Sequence, residues 1–248
     1  MTQMSQRTAT PDRGAEAKSS NRHYAQIELG KLSEYEKRIL SWPIDVRGSR
    51  ILDLGAGPGQ WGLLLMQLGA AALTWHDRSA DFEDFARELY KSRGVSAAFV
   101  RADIMDIGRY ENDSFDLVFS RGALHYSHNE WQLLRDVSRI ARKWIYIEAP
   151  SWRWSWRGPE GLTWKTPLFA LSGMAAMVTR RKLQPTRWQS RRFVCWRLRR
   201  EGFVPVWERY GPARQSWWTL FERCPDLATA STAANLQTPP AKIPRSLN

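Results

Sequence analysis

The sequence predicts a doubly wound α/β fold, a mostly parallel sheet with helices on both faces, in one domain with extensions. Apolar runs of strand length alternate with helical patterns between residues 51 and 148, and a glycine-rich turn joins the first strand to the helix after it. A length of 248 residues with 43% hydrophobic content suffices for one sizeable core.

The elements follow in order. The polar stretch 1–22 lacks the apolar segment of a secretory signal and is predicted as a flexible arm. Over 23–42, Tyr24, Ile27, Leu32, Tyr35, Ile39 and Leu40 recur at roughly helical spacing until Pro43 stops them, so a lead-in helix is expected. The core of 23–150 continues with a strand at 51–54, a helix at 61–68 ending near Gly69, a strand at 72–76 and a helix at 81–92. Strands at 97–101 and 115–120, a helix at 129–142 and a strand at 144–148 complete the alternation. The rhythm then breaks: 151–189 is rich in Trp, Arg, Pro and Gly without a period, which predicts an insertion or lid. A helix at 190–201 closed by Gly202, and strands at 203–210 and 215–222 joined by a Gly211-Pro212 turn, form a C-terminal hairpin that completes the core within 190–224. The Ala, Thr, Ser and Pro composition of 225–248 predicts a disordered tail.

Composition narrows the function classes. The two cysteines, Cys195 and Cys224, form no CxxC pair and no zinc-ligand spacing, so no metal is expected and a reduced, cytoplasmic setting fits. No run reaches the roughly 18 apolar residues of a membrane span, so the chain is expected to be soluble or at most peripheral to a membrane. The net charge of +12 is concentrated: residues 151–200 hold 12 basic side chains against one acid, Glu160.

The sharpest motif is ILDLGAGPGQWG, residues 51–62. Gly55, Gly57 and Gly59 allow a tight turn and close approach of a ligand to the backbone, and the helix that follows presents free N–H groups. A nucleoside or charged group is expected there. Asp77, at the end of the second strand in LTWHDRS, is brought beside that turn, where its carboxylate can accept from both ribose hydroxyls; the alternative is a surface Asp at the next helix start, where Ser79 can cap equally well. Asp103 and Ile104, after the third strand in VRADIMDI, suit an adenine ring, with the acid accepting from the amine and the apolar side chain on the ring face; a plain loop-end Asp is the alternative.

These residues resemble the class I S-adenosylmethionine-dependent methyltransferases, especially the broad small-molecule group called type 11. The resemblance covers roughly residues 24–150 and 192–223. It implies S-adenosyl-L-methionine as cofactor, with Asp53, Gly55, Ala56, Gly57 and Gly59 around the methionine part, Asp77 on the ribose, Asp103 and Ile104 on the adenine, and Ser120 beside the cofactor. It also implies a Rossmann-like, seven-stranded sheet with the last strand antiparallel, which agrees with the hairpin.

A dinucleotide fingerprint competes, since Gly57, Gly59 and Gly62 satisfy GxGxxG and Asp77 follows 20 positions after Gly57. That pattern would make an NAD(P)-binding oxidoreductase. Against it, Gly55 already occupies the turn, and Asp53 at the strand end suits a cofactor with an amine and a sulfonium better than a pyrophosphate, which it would repel. A binding module without activity is the other alternative, disfavoured because the glycines and acids are intact.

Methyl transfer is an in-line displacement on an activated sulfonium, so alignment and desolvation supply much of the catalysis. If the acceptor needs a base, the candidates are His125 and Tyr126 in SRGALHYSHN, with His128 beside them, and Glu148 in YIEAP. His125 could instead be a packed loop histidine, and Glu148 the partner of an arginine. The segment after the fourth strand lacks the Asn/Asp-Pro-Pro-aromatic pattern of amino-methylating nucleic-acid enzymes and the paired-glutamate loop of protein arginine methylation, and neither cysteine is placed to attack cytosine. A small-molecule, saccharide or lipid-linked acceptor is therefore expected. In 151–200 the basic residues interleave with Trp152, Trp154, Trp156, Trp164, Trp188 and Trp196, and the apolar run 167–178 is too short to span a bilayer. This segment could be a lid, an anionic-membrane contact or an RNA face, with membrane ahead of nucleic acid, or simply packing tryptophans and solvated arginines.

Overall fold

The computed structural model describes residues 13–150, 191–211 and 216–224, with side chains from residue 21 onward. Helices α1 (Arg13–Leu29) and α2 (Leu32–Leu40) lead into β1 (Arg50–Leu54). There follow α3 (Gln60–Gln67), β2 (Ala72–Asp77), α4 (Ala80–Ser92), β3 (Ala98–Arg101), β4 (Phe115–Arg121), α5 (Glu130–Ile140) and β5 (Ala141–Pro150), and then α6 (Arg191–Arg200), β6 (Phe203–Tyr210) and β7 (Ser216–Arg223).

The strands form one seven-stranded sheet in the order β3-β2-β1-β4-β5-β7-β6. β1 to β5 are parallel, and β7 enters antiparallel between β5 and β6. This is the predicted Rossmann-like architecture with its C-terminal hairpin. The central strands β1 and β4 are covered on both faces and are accordingly almost uninterrupted apolar runs. On one face Leu52, Leu54, Val118, Ile145 and Ile147 pack against Val137 of α5 and Leu198 of α6. The other face, under α2, α3 and α4, is aromatic, with Trp61, Trp75, Phe119 and Tyr146 in one cluster. There the rings of Phe119 and Tyr146 stack at 4.8 Å, and those of Tyr35 and Trp61 at 4.4 Å.

Three expectations need correction. The single lead-in helix is two helices, because Gly30 breaks the run: its N–H returns to Gln26 and the chain restarts at Leu32. α1 also begins at Arg13, inside the stretch 1–22 read as an arm; RGAEAKSS is polar yet made largely of tolerable helix formers. The helix expected to reach Arg142 stops at Ile140, since Ala141 is already extended and pairs with Phe115 of β4. Strand pairing there overrides a helical pattern that the sequence continues.

Gly211 N–H donates to Ser216 O at 3.0 Å and closes the hairpin, while Pro212 lies outside the described residues. The insertion 151–189 and the tail 225–248 lie outside them too. Among the described residues no helix is long and apolar enough to cross a membrane.

Candidate functional site

The carboxyl ends of β1, β2, β3 and β4 open into a cavity of about 870 Å³, roofed by Asn21 and Tyr24 of α1. Such a crevice beside the first strand is where open α/β sheets bind ligands. Asp53, Gly55, Ala56, Gly57, Asp77, Asp103 and Ile104 all line it, so the sequence motifs converge on one place.

The glycine turn is pinned from three sides. Asp77 accepts from Gly57 N–H through Oδ2 (3.0 Å) and from Ser79 N–H through Oδ1 (2.9 Å), Trp75 Nε1 donates to Gly57 O (2.9 Å), and Tyr90 OH donates to Gly59 O (2.8 Å). Ser79 also caps α4 by accepting from Phe82 N–H, which leaves Asp77 to the turn. Gly59 has φ +83°, and a Cβ there would lie 2.7 Å from the Tyr90 hydroxyl oxygen. Removing that hydroxyl in Tyr90→Phe is expected to cost about 0.5–1.5 kcal/mol in urea denaturation, the net worth of one neutral hydrogen bond. Unchanged stability would remove Tyr90 from the support of the turn.

The Asp103 loop is held by a second device. His76, fully buried in β2, meets Asp103 O through Nε2 at 3.0 Å and Tyr110 OH through Nδ1 at 2.9 Å. A carbonyl only accepts, so Nε2 carries the proton and Nδ1 accepts from the tyrosine. Burial lowers the His76 pKa and favours that neutral ring.

Asp53 is 2% exposed, its Oδ2 has no hydrogen-bond partner, and burial pushes its pKa up to about 7, with Asp77 adding to the rise and Gly62 N–H and Arg121 opposing it. Gly62, the third glycine of the competing fingerprint, makes room for it: a Cβ there would stand 3.2 Å from Asp53 Oδ2 and 2.5 Å from the Tyr90 hydroxyl oxygen.

The sequence-predicted residues divide. Gly59 starts α3 just behind the cavity wall. Ser120 does not line the cavity; strand alternation turns it to the opposite face from Phe119 and Arg121, which do. Tyr126 stands on the cavity wall, 51% exposed. His125 does not reach that wall, and burial lowers its pKa to about 4. Glu148 is also away from the wall, in ion pairs with Arg38 (2.8 Å) and Arg121 (3.3 Å). His128 is exposed and off the wall as well. Among the described residues no metal-ligand cluster occurs.

Sequence reasoning missed a polar network beside the cavity. Glu28 of α1 is buried and receives Arg121 Nη1 (2.6 Å), Tyr35 OH (2.7 Å), Gln60 Nε2 (3.2 Å) and Lys31 Nζ (3.3 Å). Arg121 in turn lies over the Tyr35 and Trp61 rings, 5.1 and 5.5 Å from their centroids. No motif announced it: Glu28 sits on the polar side of an ordinary helical pattern, and Arg121 reads as a strand-end surface charge.

S-adenosylmethionine fits these residues on two counts. Asp53 lines the cavity and keeps one buried carboxylate oxygen, Oδ2, without a hydrogen-bond partner, and the site of a Cβ on Gly57 (φ +53°) has nothing within 4 Å, which leaves backbone open to a ligand.

Residues 51–143 match the family model described as a methyltransferase domain. No curated protein matches the chain in sequence. Among solved structures the chain is similar to a putative sarcosine dimethylglycine methyltransferase from Galdieria sulphuraria, with TM-score 0.57 and 13% identity over 79% of this chain and 86% of the other. It is similar to magnesium protoporphyrin IX methyltransferase from Synechocystis PCC 6803 with bound SAH, with TM-score 0.56 and 13% identity over 87% and 90%. An S-adenosylmethionine-dependent methyltransferase from Mesorhizobium loti gives TM-score 0.57 and 19% identity over 73% and 93%. At these identities the structures show a shared fold, and the sequence match supplies the domain. The dinucleotide reading fails on both, since the all-parallel 3-2-1-4-5-6 order of dinucleotide folds is not the order here. Residues 51–143 thus carry a methyltransferase domain, on a fold shared with S-adenosylmethionine-dependent methyltransferases.

Proposed function

We propose that the chain methylates a small acceptor, saccharide-linked and lipid-linked compounds included, that enters the cavity between Tyr24, Arg121 and Tyr126. The observation that carries this reading is the cavity wall itself. Beyond the residues read as cofactor contacts it retains Tyr24, Phe82, Arg121 and Tyr126, enough to enclose a compact acceptor but not a folded macromolecule.

When bound, S-adenosylmethionine supplies an electrophilic methyl group on a sulfonium. Asp53, Gly55, Ala56 and Gly57 would receive its methionine part, with Gly59 shaping the turn from behind. Asp77 has one N–H on each oxygen and keeps lone pairs for ribose hydroxyls. Asp103 engages Met105 N–H through Oδ1, which leaves Oδ2 for the adenine amine, and Ile104 offers its side chain to the ring. Of the candidate bases, Glu148 is committed to two arginines and His125 is a weak base off the wall. Catalysis is therefore read as alignment and water exclusion, with Tyr126 the one candidate placed to touch the acceptor.

Incubation with methyl-labelled S-adenosylmethionine and a cell extract tests the acceptor class. Label is expected in the water-soluble or solvent-extracted small-molecule fraction; label confined to precipitated protein or nucleic acid contradicts the reading. With that acceptor, His125→Gln should hold turnover within about threefold, whereas a loss of about 10² or more would restore a base role for His125.

A peripheral contact with an anionic membrane is proposed for 151–200. Its described end, α6, exposes Trp196 (44%) beside exposed Arg192, Arg199 and Arg200, and Trp131 of α5 (52% exposed) packs edge-on against Trp196 at 5.4 Å. Tryptophan and arginine together favour a charged lipid–water boundary. Flotation with phosphatidylserine vesicles should exceed that with phosphatidylcholine and weaken in Trp131→Ala/Trp196→Ala; binding to RNA with no binding to vesicles would transfer the surface to nucleic acid.

A further inference from the structure

We propose that His76 is a positioning residue for the cofactor's base: it ties the Asp103 loop to the glycine turn at a fixed spacing, so that the site selects a base bearing the adenine amine. This deepens the reading of the cavity as an S-adenosylmethionine site and rests on it.

One residue of β2 joins the two halves of the site. The main-chain oxygen of His76 accepts from Gly55 N–H at 2.8 Å and from Ala56 N–H at 3.2 Å, while its ring Nε2 donates to Asp103 O at 3.0 Å. The Asp103 loop makes its own shape. Met105 N–H donates to Asp103 Oδ1 (3.0 Å), Asp106 N–H to Asp103 O (2.8 Å) and Asp103 N–H to Asp106 Oδ2 (3.3 Å). Those bonds lie within the loop and move with it. Where the loop leaves β3, two bonds fix it to the sheet: Ala102 N–H to Asp77 O at 3.1 Å, which continues the β2–β3 pairing, and the His76 bond, which takes hold of Asp103 itself. Ile104 and Ile107 press the loop onto the core, but apolar packing has no direction and does not aim a carboxylate.

The ring that does this has one orientation. It is fully buried, and both nitrogens are engaged, Nε2 by Asp103 O and Nδ1 by Tyr110 OH at 2.9 Å. Asp103 Oδ1 is taken by Met105 N–H, so Oδ2 is the oxygen that would meet the base. An amine donates to that oxygen. An oxo group in its place would set lone pairs against lone pairs. Hydrogen bonds weaken steeply with distance and angle, so freeing the Asp103 main chain from His76 would blunt the distinction between the two.

Two ligands separate this proposal from the reading beneath it: S-adenosylhomocysteine, and S-inosylhomocysteine, whose base carries an oxo group in place of the amine. Calorimetric titration of the wild-type chain is expected to show S-adenosylhomocysteine binding at least about tenfold tighter. Asparagine can reproduce the Nδ1 contact with Tyr110, and glutamine the Nε2 donation to Asp103 O. His76→Asn should therefore reduce the preference to within about threefold, through weaker binding of S-adenosylhomocysteine, while His76→Gln keeps most of it. A role in stability alone would leave the preference intact in both, and a folded His76→Asn that discriminates as well as His76→Gln overturns the proposal. The coupling must also run in reverse, so in the wild-type chain the His76 ring proton, followed by nuclear magnetic resonance with isotope-labelled histidine, should exchange with solvent more slowly under saturating S-adenosylhomocysteine than under the inosyl analogue. Equal exchange, or equal affinities for the two ligands, would overturn the proposal whether or not either variant folds. Failure of the wild-type chain to bind either ligand would instead overturn the cofactor site itself, and the proposal with it.

Discussion

Glu28→Ala is expected to lower the unfolding free energy by about 3–5 kcal/mol, the cost of removing one partner from a buried ion pair. The carboxylate accepts from four donors, and Arg121, only 22% exposed, would keep Glu148 as its remaining carboxylate partner. α1 would also lose the contact that ties it to the end of β4 across 93 residues of chain. Urea denaturation at pH 7 measures the effect. A loss below about 1 kcal/mol would mean that α1 rests on the cavity as an exposed pair does. The pH dependence has a definite sign. The Glu28 pKa is lowered from 4.5 because Arg121, Tyr35 and Lys31 outweigh the opposing effect of burial. The contribution is present above the unfolded-state pKa and is lost as pH falls through the lower folded value, and Glu28→Ala should show no such acid-side loss from this group.

Asp53→Asn is expected to act in opposite directions on stability and on binding. The folded pKa of about 7 lies above the ordinary value of 3.8, so between those pH values the folded chain holds a proton that the unfolded chain has released. Stability from this group therefore falls as pH rises through that window, by on the order of 4 kcal/mol in total at 1.36 kcal/mol per pKa unit. Asparagine carries no such cost, so the variant without cofactor should melt higher than wild type above pH 7 and alike below pH 4. Binding runs the other way. A ligand ammonium needs the ionised carboxylate, and wild-type affinity for S-adenosylhomocysteine should rise with pH, up to about tenfold per pH unit below 7, and then level off. The variant should bind about 10- to 100-fold more weakly at pH 8, without that dependence. A variant that gains no stability above pH 7, or binds as tightly as wild type, would show that Asp53 is ordinarily solvated.

What the sequence made legible was periodic or turn-bound. Apolar runs 51–54 and 115–120 are strands because both sheet faces are covered, and Gly57 and Gly59 announce a turn by residue type alone. Asp77, Asp103 and Ile104 were found because they end strands, and strand ends of a parallel sheet share one edge. Tertiary pairing was not legible. Trp75, His76 and Tyr90 read as core residues, yet their polar atoms pin the glycine turn and the Asp103 loop. Glu28 and Arg121 are 93 positions apart, and nothing local marks them as partners. The parity of β4 was available, since Val118 and Ser120 face one way and Phe119 and Arg121 the other, and it would have set Arg121 beside the cavity in place of Ser120. The break at Gly30 was visible too, but the apolar spacing across it concealed two helices as one.

Thermal unfolding with S-adenosylhomocysteine or NAD tests the central claim most directly, because ligand bound only by the folded state raises the melting temperature. A rise is predicted with S-adenosylhomocysteine and none with NAD. Asp77→Ala, which loses the ribose acceptor and frees the Gly57 N–H, should shrink that rise by weakening binding by about 1–3 kcal/mol. Stabilisation by NAD in place of S-adenosylhomocysteine would contradict the account.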